Sequence, residues 1–388
     1  MLAVAHFRRR LFKPTETFLY NYLTAFRRTL PVCITFKKVN LEQFPYSHPL
    51  VELYSWHIWN RGWRWLRRGS HSQPEDSDLR YDLPKTAESL QQYDVRALHA
   101  HFGYTGSQVL PVKRETGLPL VTTFYGEDIS ALPRSEEWLR VYEDLFSEGD
   151  LFLVEGPNMR KKLVEIGCSP EKAKIQRIAI PINRYPFRER LPKKRGERAR
   201  ILFCGSFREK KGLLYGLDAV RCARERFPSL EFRIIGEGEL RLQIEQAIER
   251  CGMRSYTTLL GFQPHARMVE EMYNADIFIS PSVTAANGDS EGGAPTTILE
   301  AQACGMPVIS TDHGDIPNVV VPGKSVLLGP ERDAEVLGNN LCTLLAEQER
   351  WAEMGKLGRA FVEKYHNIAI EVGVLEERYF KLAEVGAV

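Results

Sequence analysis

The amino-acid sequence predicts an α/β protein of two doubly wound, Rossmann-like domains facing a cleft. Three observations lead there. Short β-branched apolar runs recur along the chain, each followed by a polar segment of helical period, the pattern of parallel sheets covered on both faces by helices. A stretch rich in proline and charge, PINRYPFRERLPKKRGERAR at 181–200, divides those runs into two sets. The length of 388 residues suits two or three domains at ~150 residues each.

Before the divide, the strands expected are Val32–Phe36, Ala97–His101, Leu120–Phe124 and Leu151–Glu155. After it they are Ile201–Gly205, Phe232–Gly236, Tyr256–Gly261, Ile277–Ser280 and Val308–Thr311. The reading gives a first domain over 1–185, a second over 186–367, and a terminal helix over 368–388. That helix carries Val372, Leu375, Tyr379 and Leu382 at helical spacing and needs a surface for its apolar stripe, which packing back on the first domain would provide. Ligands of doubly wound sheets bind beyond the carboxyl ends of the strands. The polar, acidic segment Ser70–Pro84 reads as an exposed loop.

Composition narrows the class. Hydrophobic residues are 43% and charged residues 26%, as in globular proteins rather than disordered or fibrous ones. No apolar run approaches the ~18 to 20 residues that span a bilayer. Met1–Ala5 is too short for a leader's apolar core before Arg8-Arg9-Arg10, so a cytoplasmic protein is expected. The seven cysteines are scattered without paired spacing, which suits reduced thiols rather than disulfides or zinc.

Charge is unevenly shared. Residues 1–70 hold 12 Lys+Arg against three acids, leaving −7 for the other 318 residues of a chain whose net charge is +2. Within this region Leu53–Arg68 is a candidate amphipathic helix. Leu53, Trp56, Trp59, Trp63 and Leu66 fall on one face, with Arg61, Arg64 and Arg68 well away from it. Such a helix lies on an anionic membrane surface, or docks its aromatics into a domain core. No nucleic-acid fold pattern accompanies the basic region, and nucleic acid is not expected as a partner.

Several segments carry candidate chemistry. In NGDSEGGAPTTILEAQACGMP (287–307), Gly292 and Gly293 allow close backbone approach and Pro295 suits a first helical turn. Thr296 to Cys304 reads as a helix whose N-terminal N–H groups favour a phosphate. Glu291 and Glu300 flank that start as acceptors for sugar and ribose hydroxyls; an ordinary capped helix is the alternative. In CGSFREKKG (204–212), Lys210 and Lys211 precede Gly212 as diphosphate clamps or as solvated loop charges. RIIGEGEL adds Gly236 and Gly238, a short G-x-G or a plain tight turn. HAHFG and TFYGEDIS set His101, Tyr125, Glu127 and Asp128 at strand ends. The H-x-H of His99 and His101 lacks a third ligand at convincing spacing, so no metal is expected, and His99 reads as a buried strand residue.

Taken in order, CGSFREKKGL, IIGEGEL, LLGF and SEGGAPTTILEAQACGMPVISTDHGDIPNVV resemble the family-4 glycosyltransferases, retaining enzymes of the GT-B fold that use nucleotide sugars. FKPTETFLYNYL, HAHFG and TFYGEDIS resemble the branch that builds lipopolysaccharide and exopolysaccharide. The resemblance implies a retaining transfer, without a required cofactor or metal, from a nucleotide sugar, UDP-linked by family habit, to a lipid-linked or glycan acceptor. It implies that Gly205, Ser206, Arg208, Lys211, Gly236, Phe262, Glu291, Gly292, Gly293, Ala294, Pro295, Thr296 and Glu300 bind the donor. Lys211 would hold the diphosphate, Gly292, Gly293 and Ala294 offer N–H groups to it, Glu300 bind the ribose, Glu291 the transferred sugar, and Phe262 lie near the base. Glu291, Lys211 and Tyr125 would be catalytic, with Thr15, Glu16, His101, Tyr125 and Glu127 on the acceptor side.

Three departures stand out. Ser206 replaces the family arginine, with Arg208 two places on. Glu291 and Glu300 are nine positions apart rather than eight. Tyr125 stands where many members have histidine. A nucleotide-sugar epimerase of the same fold and a non-catalytic donor-binding protein are the alternative readings.

Overall fold

A computed structural model describes residues 1–53, 81–194 and 197–385. Nine strands form in the first part of the chain: β1 (Leu2–Phe7), β2 (Arg10–Leu11), β3 (Thr29–Thr35), β4 (Lys37–Lys38), β5 (Leu50–Glu52), β6 (Val95–His101), β7 (Leu120–Thr123), β8 (Leu151–Val154) and β9 (Ala173–Ile175). Six follow: β10 (Arg200–Cys204), β11 (Glu231–Ile235), β12 (Thr257–Gly261), β13 (Ile277–Ser280), β14 (Val308–Thr311) and β15 (Val326–Gly329). All nine strands expected from the apolar runs form. The expected membrane helix Leu53–Arg68 lies outside the described residues from Tyr54 onward, as does most of the Ser70–Pro84 loop.

The first sheet has the order β5-β3-β1-β6-β7-β8-β9, and β1 pairs parallel with both β3 and β6. The second has the order β12-β11-β10-β13-β14-β15, with parallel pairings throughout. Both are doubly wound, with chain order reversing beside the first strand of each sheet. β1 was not anticipated: its six residues, LAVAHF, place a histidine in a short apolar run. Burial on both faces explains why nearly every residue of β1, β10 and β13 is apolar.

The chain divides into two compact units, one of residues 1–123, 140–152 and 375–388, the other of 124–139 and 153–374. In the second unit, Ile201, Phe203, Phe232, Ile234, Ile277 and Ile279 form the sheet's share of a core completed by helix residues Leu217, Val220, Leu341 and Trp351. In the first, the terminal helix Ile368–Val385 contributes Tyr379, which is fully buried. Glu376 Oε1 there accepts the N–H groups of Arg27, Arg28 and Thr29 at 2.9, 2.6 and 3.0 Å, collecting three donors at the start of β3.

Candidate active site

In the second unit, chain order reverses between β10 and β13, the place where a doubly wound sheet leaves a crevice at its carboxyl ends. Two loops emerge there, Gly205–Gly212 and Pro281–Pro295. They meet at Gly212, which has φ +64° and whose added Cβ would lie 1.7 Å from the Pro281 carbonyl oxygen. Only glycine fits that position, and the helix Leu213–Arg226 starts directly after it.

The two loops are joined by charge. Lys211 Nζ lies 2.7 Å from Glu291 Oε2, and Ser282 Oγ donates to Glu291 Oε1 at 3.2 Å. Lys210 Nζ pairs with Asp289 at 3.0 Å and donates to the Ser290 carbonyl at 3.2 Å. Burial of Glu291 opposes its ionisation, but Lys211 and Lys210 outweigh it and hold the carboxyl below the usual range. Arg208 is exposed, and its side chain makes no hydrogen bond or ion pair among the described residues.

The backbone from Glu291 to Gly293 is gripped from below. The Glu291 N–H donates to His313 Nε2 at 3.1 Å, and His313 Nδ1 lies 2.6 Å from Glu331 Oε1. The Gly293 N–H donates to Glu155 Oε2 at 3.1 Å, and the Gly293 carbonyl accepts the Asp315 N–H at 3.1 Å. Burial, with Asp128, Asp315 and Glu291 nearby, pushes the Glu155 carboxyl well above its usual range against the pull of the Gly293 N–H. Gly293 was expected to offer its N–H to a diphosphate; here Glu155 takes that donor. Gly292 and Ala294 make no backbone hydrogen bond among the described residues, nor do the N–H groups of Thr296 and Thr297 at the start of the helix Thr296–Ala303.

Glu300 lies inside that helix, 3% exposed. Its Oε1 accepts the Tyr185 hydroxyl at 2.7 Å, and the same hydroxyl lies 2.8 Å from His265 Nε2. Gly236 packs against Gly205, Ser206 is half-buried, and Phe262 is exposed beyond β12. Tyr125 and Glu127, expected on the acceptor side, belong to this same unit. Asp128 accepts the N–H groups of Tyr125 and Gly126 at 3.0 and 2.9 Å, and Ser130 Oγ accepts the Ser290 N–H at 3.2 Å. Gly292 has φ +71°, and its Cβ would fall 1.9 Å from the Tyr125 carbonyl oxygen. The Tyr125 backbone therefore lies directly against the glycine loop, while the Glu127 side chain is exposed.

The remaining expected residues are in the first unit. Thr15 is exposed. Glu16 is buried in a bidentate pair with Arg8 at 3.0 and 2.7 Å, and Arg8 also donates to the Tyr104 hydroxyl at 2.8 Å. His101 supplies an outcome the spacing could not show, because its third partner comes from β1: His6, His99 and His101 gather within 4.8 Å. His6 Nδ1 lies 3.1 Å from His101 Nε2. However, His99 engages Tyr379 and Thr123 through its two ring nitrogens, and its ring stacks on His101 at 4.3 Å. A metal would require His99 to surrender a partner. Burial holds all three pKa values down, that of His6 to about 3, so the three rings are neutral imidazoles.

Residues 187–361 match the family described as glycosyl transferases group 1. The amylovoran biosynthesis glycosyltransferase AmsK of Erwinia amylovora is 34% identical over 285 residues, 73% of this chain and 69% of that protein. The chain belongs to the group 1 glycosyltransferases. WcaL of Salmonella typhimurium, named for colanic acid biosynthesis, is 33% identical over 66% of this glycosyltransferase, the alignment spanning 63% of WcaL, slightly under two thirds of its length. Among solved structures, Anabaena HepE in complex with UDP superposes with a TM-score of 0.76 at 16% identity, covering 98% of this chain and 100% of that one. The fold of the enzyme is GT-B.

Sequence reasoning missed His313, Glu331, Glu155 and Tyr185. His313 stands inside the quoted STDHGDIPNVV, but nothing local marks it as a partner of a residue 22 positions upstream.

Proposed function

We propose that this glycosyltransferase moves a sugar from a UDP-sugar to a hydroxyl of a lipid-linked or glycan acceptor in exopolysaccharide synthesis, with retention and without a metal. The observation carrying this reading is the Lys211–Glu291 pair beside unpaired N–H groups at the start of the Thr296 helix. On donor binding, Lys211 turns from Glu291 to the diphosphate, and Glu291 is released to accept a sugar hydroxyl. The N–H groups of Gly292, Ala294 and the helix start, with Lys211 and Arg208, stabilise charge on the leaving diphosphate. Preorganised donors of this kind are worth roughly 10²- to 10³-fold each. Glu300 accepts from the ribose. The acceptor hydroxyl attacks the anomeric carbon as its bond to the diphosphate breaks, and its proton passes to a diphosphate oxygen on the same face. Tyr125 offers a phenol beside that face.

The UDP preference draws support from HepE, solved with UDP, and the pathway from the names of AmsK and WcaL. The asymmetric positive charge of residues 1–70 supports a cytoplasmic enzyme resting on the membrane surface that carries its acceptor. Among the described residues no helix is long and apolar enough to cross a membrane.

A thermal-shift panel of UDP, GDP and ADP with their sugars, with and without magnesium, tests the donor site. A ligand at 100 times its Kd stabilises by about 2.7 kcal/mol. A shift with UDP and its sugars, unchanged by magnesium, is expected; a flat panel overturns the reading. Release of nucleoside diphosphate only when acceptor is present separates transfer from epimerisation and from binding alone.

A further inference from the structure

We propose that His313, oriented by Glu331, is a positioning residue that fixes the backbone amide of Glu291 and thereby aims its carboxylate at the transferred sugar. The inference rests on the donor-site reading above and adds to it a residue that touches no substrate.

The hydrogen bonds dictate the tautomer. An amide N–H can only donate, so His313 Nε2, 3.1 Å from the Glu291 nitrogen, presents its lone pair. The ring proton is then on Nδ1 and is donated to Glu331 Oε1 at 2.6 Å. Glu331 is itself fixed: its Oε2 accepts the Thr284 N–H at 2.7 Å and its Oε1 the Thr284 hydroxyl at 3.2 Å. Burial opposes its charge, but the Thr284 N–H and His313 outweigh that and keep the carboxyl ionised. The chain Thr284–Glu331–His313–Glu291 thus ties both ends of the loop after β13 to the element following β14 and to the turn after β15. His313 is 2% exposed, so water does not compete for its ring.

The loop needs such a tie. Glu291 is followed by two glycines, the first at φ +71°, and lies one position farther from Glu300 than in the family pattern. Its side chain is held by Lys211 and Ser282, yet Lys211 is the group that leaves for the diphosphate when donor binds. After that exchange the amide clamp remains, independent of where the lysine goes. With Glu155 on the Gly293 N–H, alternate amides, 291 and 293, are engaged by the protein, while 292 and 294 are left for the ligand.

The test compares His313→Gln, His313→Asn and His313→Ala. A glutamine carbonyl reaches close to the position of Nε2 and can accept the Glu291 amide; asparagine is too short. In the parent, long-range ¹H–¹⁵N correlation of the ring assigned by loss in His313→Gln should show the Nδ1–H tautomer. For UDP and UDP-glucose, binding of the diphosphate alone should be unchanged in all variants. The extra affinity contributed by the sugar, and kcat, should fall roughly 10- to 100-fold in the Asn and Ala variants, the order expected for ~1 Å of misplacement, and recover in the Gln variant. If the parent binds both nucleotides and His313→Asn keeps the parent's affinity ratio and kcat, or if the ring is the Nε2–H tautomer, the clamp is overturned and the donor site stands. If the parent binds neither these nor the other nucleotides of the panel, the donor-site reading falls, and with it the role of His313 towards sugar.

Discussion

Glu155, just past the end of β8, accepts the N–H of Gly293 at 3.1 Å, joining residues 138 positions apart. Its carboxyl is held well above the usual range by burial and by Asp128, Asp315 and Glu291. The native state therefore retains this proton to higher pH than the unfolded chain does. Stability contributed here is present near the unfolded value of about 4.5 and is lost as pH rises through the folded value, at up to ~1.4 kcal/mol per pH unit. Glu155→Gln keeps an acceptor for Gly293 and removes the titration. It should melt above the parent at pH 8, with the gap shrinking as pH falls; melting curves across pH 5–8 decide.

Glu291, paired with Lys211, titrates in the opposite sense. Glu291 is depressed, so its contribution is complete above about 4.5 and lost as pH falls through the lower folded value. Lys211→Met should abolish turnover and lower stability at pH 7 by about 3 kcal/mol, since it strands a buried carboxylate. That stability difference should close in acid. A variant with parental kcat removes Lys211 from the mechanism.

Tyr185 holds Glu300 by one hydroxyl. Tyr185→Phe leaves a buried carboxylate oxygen short of a donor, at about 1–3 kcal/mol, and chemical denaturation should register it. Glu300→Ala should lose turnover while retaining its fold, as circular dichroism and activity measured together will show.

The imidazole stack makes the first unit acid-sensitive. His6, His99 and His101 have folded pKa values below the ordinary 6.5, so the unfolded chain binds the extra protons. Their stability is present above about 6.5 and lost as pH falls, by up to ~1.4 kcal/mol per pH unit for each ring. Denaturant midpoints at pH 7 and pH 5 should reveal the slope, and His6→Phe should reduce it.

Trp59→Ala with Trp63→Ala should weaken flotation with anionic liposomes. Equal flotation of parent and variant removes this segment as the membrane contact.

The strands were legible because buried parallel strands demand β-branched runs, and nine such runs are plain in the sequence. β1 was not, since LAVAHF carries a histidine whose partners, His99 and His101, lie more than 90 residues away. At the site, Lys211, Glu291 and Glu300 could be read from motifs because local spacing places them on loop and helix start. Glu155, His313 and Glu331 reach the same place from other strand ends and Tyr185 from the turn after Ile182–Arg184, and only tertiary pairing, which leaves no local pattern, brings them there.

The contact of Gly212 with the Pro281 carbonyl bears on any effort to redesign donor preference. It makes 205–212 and 281–295 a single cassette: exchanging either alone would impose a foreign backbone where position 212 has no room for a side chain. For the donor site proposed above, the two loops would have to be exchanged together, and libraries that vary one while freezing the other should lose stability.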